Sequence, residues 1–423
     1  MSNLLYTSNT AVETFHECPR ERFLVNHYLG TGIVPKSVAI PLATGIHVHN
    51  GIAELMKVVK NKKPLELAFF ANHIEDACNI AKQGYLEDVK KFGLSGDGLR
   101  TNAAIYHTVT EQTALIEALI RAWVIVELPQ ILNRFTVAGV EVEIEVIKDG
   151  VSFQSRADAI LQEKGSGDVY VYSLKTVKQW GKRNEDSYRE NLQGIHETWA
   201  LEQFLLSKGM GKRVMGVRFC FLVKGQRRED KWSSDIPENR IWVTYNPLIR
   251  GYRRITPVGY EYAHSWEYAN PANKSGKSVI GNSYSPFFVW QHDKITVKAW
   301  IEAIRKGQIQ PEAGEVLRSV IVTPAEYFRN DNEIKHTIRQ TFNQEGRIKR
   351  ILEDFVPSDI DLEDERLDLY FVQHKNSCRW PTTCGMHRIC YRTEVRADPL
   401  GSGFYVRRTP HHQPELEALR EDD

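Results

Sequence analysis

Residues 138–176 read AGVEVEIEVIKDGVSFQSRADAILQEKGSGDVYVYSLKT and carry the clearest structural pattern in the chain. From Val140 to Val146, apolar residues alternate with glutamates, which is the period of a half-buried strand. Asp149-Gly150 is a strong hairpin signal. Further strands are predicted over 152–161 and, after the turn at 165–167, over 169–176. The stretch therefore predicts three consecutive strands that begin with an antiparallel hairpin.

The sequence on either side of these strands is mainly helical. A helix over 185–208 and a strand over 214–224 complete the order strand–strand–strand–helix–strand, which is typical of an α/β core. On the amino-terminal side, apolar periodicity predicts four helices, over 11–33, 45–60, 68–92 and 102–135. On the carboxyl-terminal side we predict a strand over 240–245 and helices over 295–306 and 323–353.

Composition divides the chain into five regions. We predict a helical region (1–137), an α/β core (138–225), an insertion rich in aromatic and basic residues (226–295), a helical closing region with a cysteine cluster (296–395) and a disordered tail (396–423).

The overall composition excludes several classes of protein. The 423 residues include 55 Lys and Arg against 54 Asp and Glu, a formal net charge of +1, with 42% hydrophobic residues, as in globular proteins. No apolar run approaches the roughly 18–20 residues that span a bilayer. The first residues lack the pattern of a secretory signal, and six cysteines are too few for a secreted disulfide scaffold. We therefore expect a cytoplasmic protein without a membrane partner.

Three cysteines lie close together near the carboxyl terminus, in SCRWPTTCGMHRIC. Cys378, Cys384 and Cys390 follow one another at intervals of six positions, and clustered thiols in a reducing compartment favour a metal site. A four-coordinate site needs one more ligand, and Cys18 in CPRERF is the candidate. The alternative is that these are free, partly buried cysteines. Two further cysteines, Cys78 and Cys220, are predicted to lie in the core.

Two pairs of polar residues suggest an active site in the core. Asp158 and Lys175 lie on neighbouring strands, where an aspartate can hold a divalent metal and a lysine can orient a water molecule. Such a pair also occurs as an ordinary surface ion pair. Gln193 and Glu197 are four residues apart, so they share one face of the predicted helix. His49, in TGIHVHNG, is a possible ligand, although an isolated histidine is more often structural.

Taken in order, these motifs resemble the RecB-type branch of the PD-(D/E)XK nuclease superfamily. The similarity is to its iron–sulfur members, the AddB-type helicase–nuclease domains and the CRISPR-associated exonucleases of that kind. The matching stretches are FHECPRERF with Cys18, GIHVH with His49, SRAD with Asp158, SLKT with Lys175, LQGIHETWA with Gln193, and the three late cysteines. The resemblance spans about 18–225 and 378–390.

The resemblance implies a fold and a set of roles. It implies a restriction-endonuclease-like core, a mixed sheet flanked by helices, with a helical amino-terminal region. His49 and Asp158 would bind Mg²⁺ or Mn²⁺, Lys175 would lie near the attacking water, and Gln193 would lie at the mouth of the site. The four cysteines, Cys18, Cys378, Cys384 and Cys390, would hold a [4Fe–4S] cluster that joins the two ends of the chain.

The sequence departs from the family pattern at Ser173, which occupies the position of the carboxylate in the (D/E)xK motif. One hypothesis is that the carboxylate has moved to the neighbouring helix as Glu197, with a main-chain carbonyl such as that of Leu174 as a further ligand. A second is that catalysis has been lost, which would leave an iron–sulfur DNA-binding or adaptor protein. A third is that Glu197 merely pairs with a nearby base such as Lys175. The even spacing of the late cysteines also leaves a zinc site open.

A nuclease of this kind would have DNA as its partner, in single strands or at ends. Residues 212–254 contain eleven Lys and Arg against four Asp and Glu, interleaved with Trp232, Trp242, Tyr245 and Tyr252. This composition suits single strands, and a solvated sheet edge is the alternative. Residues 351–368 are strongly acidic, with eight Asp and Glu and one Arg. Since no Walker A pattern occurs, a helicase or recombination partner would be a separate chain, in repair, recombination or a phage or other mobile element.

Overall fold

The computed structural model describes residues 4–422, apart from several stretches. The two longest are 230–241 and 264–320; the others are 37, 62–66, 93, 96–101, 178–179, 182–184, 186–187, 189–190, 225–227, 247–250, 257–258, 356–359 and 379–382.

A mixed sheet forms the centre of the molecule. Its long strands are β5 (Phe135–Lys148), β6 (Val151–Glu163), β7 (Val169–Val177) and β8 (Val214–Val223), and the short strands β1 (Leu5–Ser8), β13 (Ile321–Val322) and β14 (Tyr327–Phe328) extend it. β5, β6 and β7 pair antiparallel in sequence, and β8 is parallel to β7. Asp149 and Gly150 both have positive φ, 53° and 75°, as the predicted two-residue hairpin turn requires.

One edge of β6 is shared between two strands. Residues 151–154 of β6 pair with β1, residues 159–162 pair with β7, and β5 pairs along the opposite edge. β7 therefore leaves β6 just at Asp158. The sheet opens at this point, and polar side chains can enter the opening without disturbing a continuous ladder of hydrogen bonds.

Helices cover both faces of the sheet. One face packs against α3 (Ile40–Asn61), α4 (Leu67–Phe92), α5 (Asn102–Val126) and α6 (Leu128–Arg134). The other packs against α1 (Asn9–Glu17), α2 (Pro19–Asn26), α7 (Leu192–Ser207) and α8 (Asp331–Glu353). A hydrophobic core lies on each face of the sheet, and alternate residues of β7 pack into one or the other. Tyr170 and Tyr172 pack into the core on the first face, and Val169 and Val171 pack into the core on the second. The predicted α/β fold, with helices flanking a mixed sheet, is confirmed.

The carboxyl-terminal region returns to the amino-terminal helices. It contains α9 (Glu365–Tyr370), the 3-10 helix Lys375–Cys378, α10 (His387–Tyr391), α11 (Thr393–Ala397), β15 (Tyr405–Arg407) and α12 (Gln413–Asp422). β15 pairs with β2 (Ile33–Pro35). Residues 396–423, which we expected to be disordered, contain the strand β15 and the helix α12. Backbone pairing and the buried side chain of Tyr405 hold this segment in place despite its polar composition.

Several predicted boundaries differ from the structure. The helix expected over 11–33 is two helices, because Cys18 before Pro19 has an extended backbone, φ −157°, as a residue before proline prefers. In the stretch expected as one helix over 185–208, Glu185 and Tyr188 are helical and a separate helix begins at Leu192. The helix expected from 323 begins at Asp331. The helix expected over 295–306 lies outside the described residues.

The predicted insertion contains a second, four-stranded sheet. Its strands are β9 (Arg228–Glu229), β10 (Trp242–Asn246), β11 (Gly251–Thr256) and β12 (Gly259–Ala263). Outside this insertion, the short strands β3 (Val38–Ala39) and β4 (Leu94–Ser95) pair with each other. Trp232 lies outside the described residues. Within the part of the chain that is described, no helix is both long and apolar enough to cross a membrane.

Candidate active site and cysteine cluster

Asp158 lies in the opening of the sheet, where β7 leaves β6. Its Oδ2 atom accepts a hydrogen bond of 2.7 Å from the backbone N–H of Leu174, and its Oδ1 atom is 3.6 Å from Nδ1 of His49. Burial alone would raise the pKa of Asp158, but His49, Lys175 and the Leu174 N–H together lower it below its ordinary value. Asp158 is therefore a carboxylate at neutral pH.

His49 reaches Asp158 because α3 packs closely on β7. Gly45, one turn before His49, lies so near the strand that a Cβ atom there would be 2.6 Å from Oγ1 of Thr176. The other histidine of the motif, His47, is buried and lies 2.8 Å from Asp88 on α4. Of the two histidines, only His49 lies at the opening in the sheet.

We expect Gly45→Ala to impair any activity that depends on His49. The added methyl group has to displace Thr176 or move α3 away from β7, and overpacking of this kind costs about 1–3 kcal/mol. Denaturant unfolding and an assay of activity would measure the two effects. Thr176→Ala in the same chain should restore most of both losses, and Gly165→Ala, where a Cβ atom meets nothing within 4 Å, should be neutral. A failure of Thr176→Ala to restore anything would contradict this account.

Glu197 approaches the same opening from α7. Asn191 caps this helix by accepting from the Gln193 N–H, 2.7 Å, and Nε2 of Gln193 donates to Oε1 of Glu197 at 2.5 Å. Burial raises the pKa of Glu197 to about 7, with the charge of Asp158 adding to the effect, against the opposing influence of Lys175, Gln193 and the Ser173 hydroxyl. α7 therefore brings a second carboxyl group to Asp158.

Asp158, Glu197 and His49 offer donor atoms of the kind that could bind a divalent ion. Oε2 of Glu197 is buried and makes no hydrogen bond of ordinary geometry among the described residues, so a cation would compensate an ionised Glu197. Carboxylate oxygens beside an imidazole suit Mg²⁺ or Mn²⁺. In the described ranges no three His, Cys, Asp or Glu side chains yet meet as ligands of one ion. The side chains would have to close further to share it.

Glu141 is a neighbour of the site that the sequence did not reveal. Val140 pairs with Ala159 and Val142 with Ala157, so Glu141 lies across from Asp158 on β5. Its φ is +49°, a conformation that costs energy for residues other than glycine and often occurs at functional sites. In the sequence it is one of three alternating glutamates, and nothing local distinguishes it from the others.

The four cysteines of the predicted cluster come from distant segments to one place. Cys18, between α1 and α2, accepts from the backbone N–H of His374 at 3.5 Å. The Cys384 N–H donates to the Cys378 carbonyl at 3.0 Å, and the Met386 N–H donates to the Cys384 sulfur at 3.3 Å. All are free thiols. Residues more than 350 positions apart in the sequence thus become neighbours.

Electrostatics also link these thiols. The pKa of Cys390 is raised to about 11, chiefly by burial and also by Cys378 and Cys18, while Arg20 and Arg396 oppose this shift. Burial and Glu21 likewise raise the pKa of Cys384. Sulfur donors with guanidinium groups beside them fit an anionic metal–thiolate centre, although the described side chains do not yet form one. Cys78 and Cys220 are buried in the core, as predicted.

The acidic stretch 351–368 contributes to this region. Asp368 forms an ion pair of 2.5 Å with Arg20, two residues after Cys18, and the Arg20 Nε donates to the Phe371 carbonyl at 3.0 Å. At least part of the acidic stretch therefore positions the helix that follows Cys18.

The model of a family described as the PD-(D/E)XK nuclease superfamily matches residues 6–391. No curated protein matches this chain. The match extends over both the opening in the sheet and the cysteines.

Proposed function

The chain belongs to the PD-(D/E)XK nuclease superfamily, and on that basis we propose that it is a metal-dependent deoxyribonuclease that acts as an exonuclease on DNA ends or single strands. The observation that carries this proposal is the position of Glu197. It lies beside Asp158 and Lys175, where it can replace the carboxylate that Ser173 lacks.

The side chains at the opening in the sheet would have different roles in the reaction. Asp158, Glu197 and His49, with the Leu174 carbonyl, would hold Mg²⁺ or Mn²⁺. When bound, such an ion stabilises the negative charge that develops on the phosphate and lowers the pKa of a water molecule. Gln193 holds the Glu197 carboxyl group in position through its 2.5 Å hydrogen bond. The Leu174 N–H does the same for Asp158.

Lys175 is the cationic group of the proposed mechanism. It lies on β7, and its charge acts on both Asp158 and Glu197. An ammonium group there can orient the attacking water by a hydrogen bond and stabilise charge on a phosphate oxygen. The neutral Ser173 hydroxyl, buried beside Glu197, supports the carboxylate and is a poor metal ligand by itself.

Cleavage of labelled DNA tests this function. Anaerobically purified protein should degrade single-stranded or end-labelled DNA with Mg²⁺ or Mn²⁺, and EDTA should stop the reaction. Lys175→Ala should lower the rate by about 10²–10⁴-fold, the range for a group that assists proton transfer. Wild-type protein that is inert with both metals would favour the second candidate, an iron–sulfur DNA-binding or adaptor protein, which the presence of Ser173 supports.

We infer that Cys18, Cys378, Cys384 and Cys390 hold a [4Fe–4S] cluster. Their convergence from both ends of the chain supports a structural role, because a metal centre that closes a very long loop removes much chain entropy.

Anaerobic protein should be brown, with broad absorbance near ~400 nm. Cys18→Ser should remove most of the iron and lower the midpoint of thermal unfolding by several degrees, because the tie between the two ends of the chain is lost. Metal analysis and a thermal melt would measure both, and Cys78→Ser is a control for the loss of a buried thiol elsewhere. Colourless protein that contains zinc would replace the cluster with a zinc site. Metal content unchanged in Cys18→Ser would remove Cys18 from the ligand set.

A further inference from the structure

The solvent-exposed face of α8 carries a continuous basic and polar stripe. Between residues 335 and 350 its exposed side chains are cationic, imidazole or amide groups, and none of them is acidic: Lys335, His336, Arg339, Gln340, Asn343, Arg347 and Arg350. The one acidic residue in this interval, Glu345, points inward and pairs with Arg22. Among the described residues, no carboxylate forms an ion pair with these cations, so the stripe presents positive charge to solvent.

A groove of about 670 Å³ lies along this stripe. Gln340, Asn343 and Arg347 form one side, and Phe15 of α1 and Tyr370 of α9 line it as well. Amide groups can bond to the edges of bases, aromatic rings can stack on base faces, and a guanidinium can bind phosphate. The volume falls within the range of small-ligand sites, so a nucleotide unit fits.

The groove and the proposed active site share the amino-terminal end of α7. Leu192, the first residue of α7, lines it, and the next residue is Gln193, which holds Glu197. Thr341, also in the lining, lies 2.9 Å from Nε2 of His196. The nitrogen on the other side of the His196 ring, Nδ1, lies 2.7 Å from Asn9 at the start of α1. The groove wall and the catalytic helix are thus joined by direct hydrogen bonds.

We propose that the α8 stripe and this groove bind a single DNA strand and lead it to the carboxylates of α7 and β6. The phosphates contact Arg339, Arg347 and Arg350, and a base stacks on Tyr370 within the groove. This inference rests on the proposed function for the identity of its ligand. It assigns DNA binding to a surface other than the basic stretch 212–254.

Binding without cleavage tests the proposal. The probe is a fluorescently labelled single-stranded oligonucleotide, with Ca²⁺ in place of Mg²⁺, followed by anisotropy over a series of salt concentrations. Arg339→Ala/Arg347→Ala should weaken binding about tenfold, and the slope of log K against log salt should fall by about 1.4, because each lost phosphate contact on a single strand contributes about 0.7. Tyr370→Ala should weaken binding about fivefold or more through lost stacking, with no change in slope.

The control makes the same change of charge at two lysines that do not line the groove. Lys164→Ala/Lys208→Ala removes two cations that precede β7 and β8, and it should leave affinity and slope unchanged. Equal losses in the control and in the α8 variant would overturn the proposal, as would unchanged binding in the α8 variant. Wild-type protein that binds through α8 but never cleaves would uphold this surface and remove the nuclease function. If wild-type protein cleaves DNA while the α8 variant binds normally, the nuclease function is upheld and this binding surface is refuted.

Discussion

Glu197→Gln should lower the rate of DNA cleavage by about 10²–10⁴-fold while leaving the fold intact. The amide keeps the size and the burial of the side chain but removes the negative charge that, in the proposed mechanism, helps to hold the metal ion. Because Ser173 provides no carboxylate, no other residue of the (D/E)xK motif can compensate. Single-turnover cleavage with saturating Mn²⁺ would measure the loss.

The same substitution should stabilise the metal-free protein at alkaline pH. The pKa of Glu197 is about 7 when folded, against 4.5 as its ordinary value, so the folded state binds this proton more tightly than the unfolded state. The ionisation of Glu197 therefore does not change the free energy of unfolding below about pH 4.5, and it lowers that free energy as the pH rises from 4.5 to 7. The full difference is on the order of 3 kcal/mol. In EDTA at pH 8, Glu197→Gln should recover part of that difference, and the gain should vanish at pH 4.5.

Glu202→Gln is the matched control, since Glu202 lies on the same helix and pairs with Arg329 instead. It should keep its activity and show no stabilisation at pH 8. Full activity in Glu197→Gln would refute the transfer of the carboxylate to α7. If Glu197→Gln is inactive but has the same stability as wild type at both pH 8 and pH 4.5, the catalytic role of Glu197 is supported. The raised pKa of its buried carboxyl group is then refuted.

Glu345→Ala should destabilise the protein by about 3–5 kcal/mol, because it leaves a buried arginine without its counter-charge. Arg22 and Glu345 are both fully buried and 3.0 Å apart. Thr7 is a second partner of Arg22, but Nε and Nη1 of Arg22 have no hydrogen-bond partner in the described part of the chain. Denaturant unfolding at pH 7 would measure the change. The pair joins α2, the helix that begins just after Cys18, to α8.

Glu353→Ala is the control for this change, because it removes a glutamate from a half-exposed pair with Lys349 on the same helix. It should cost less than about 1 kcal/mol. The double substitution Arg22→Met/Glu345→Leu should recover most of the loss, since apolar residues of similar volume often replace a buried ion pair at little cost. If Glu345→Ala costs no more than Glu353→Ala, Arg22 has another anion or solvent available.

Local patterns predicted the elements of the core with small errors in their boundaries. The alternation from Val140 to Val146 and the Asp149-Gly150 turn were sufficient for the β5–β6 hairpin, because both signals act over a few residues. The break at Cys18 was also present locally, in the proline that follows, but apolar periodicity continued across it and concealed the boundary. The strand in the tail was not predictable, since β15 is held by pairing with β2, at least 370 positions away.

The sequence by itself determined the α/β core, its mixed sheet and the set of polar residues around which the chain is organised, because strand period, turn residues and motif order are properties of neighbours in the chain. Only the tertiary structure decided which of these residues meet. Glu197 lies beside Asp158 and Lys175 because β7 leaves β6 at that point and α7 packs across the opening. The position of Glu141 and the convergence of the cysteines have the same origin. Each depends on contacts between segments far apart in the sequence, and no local pattern encodes them.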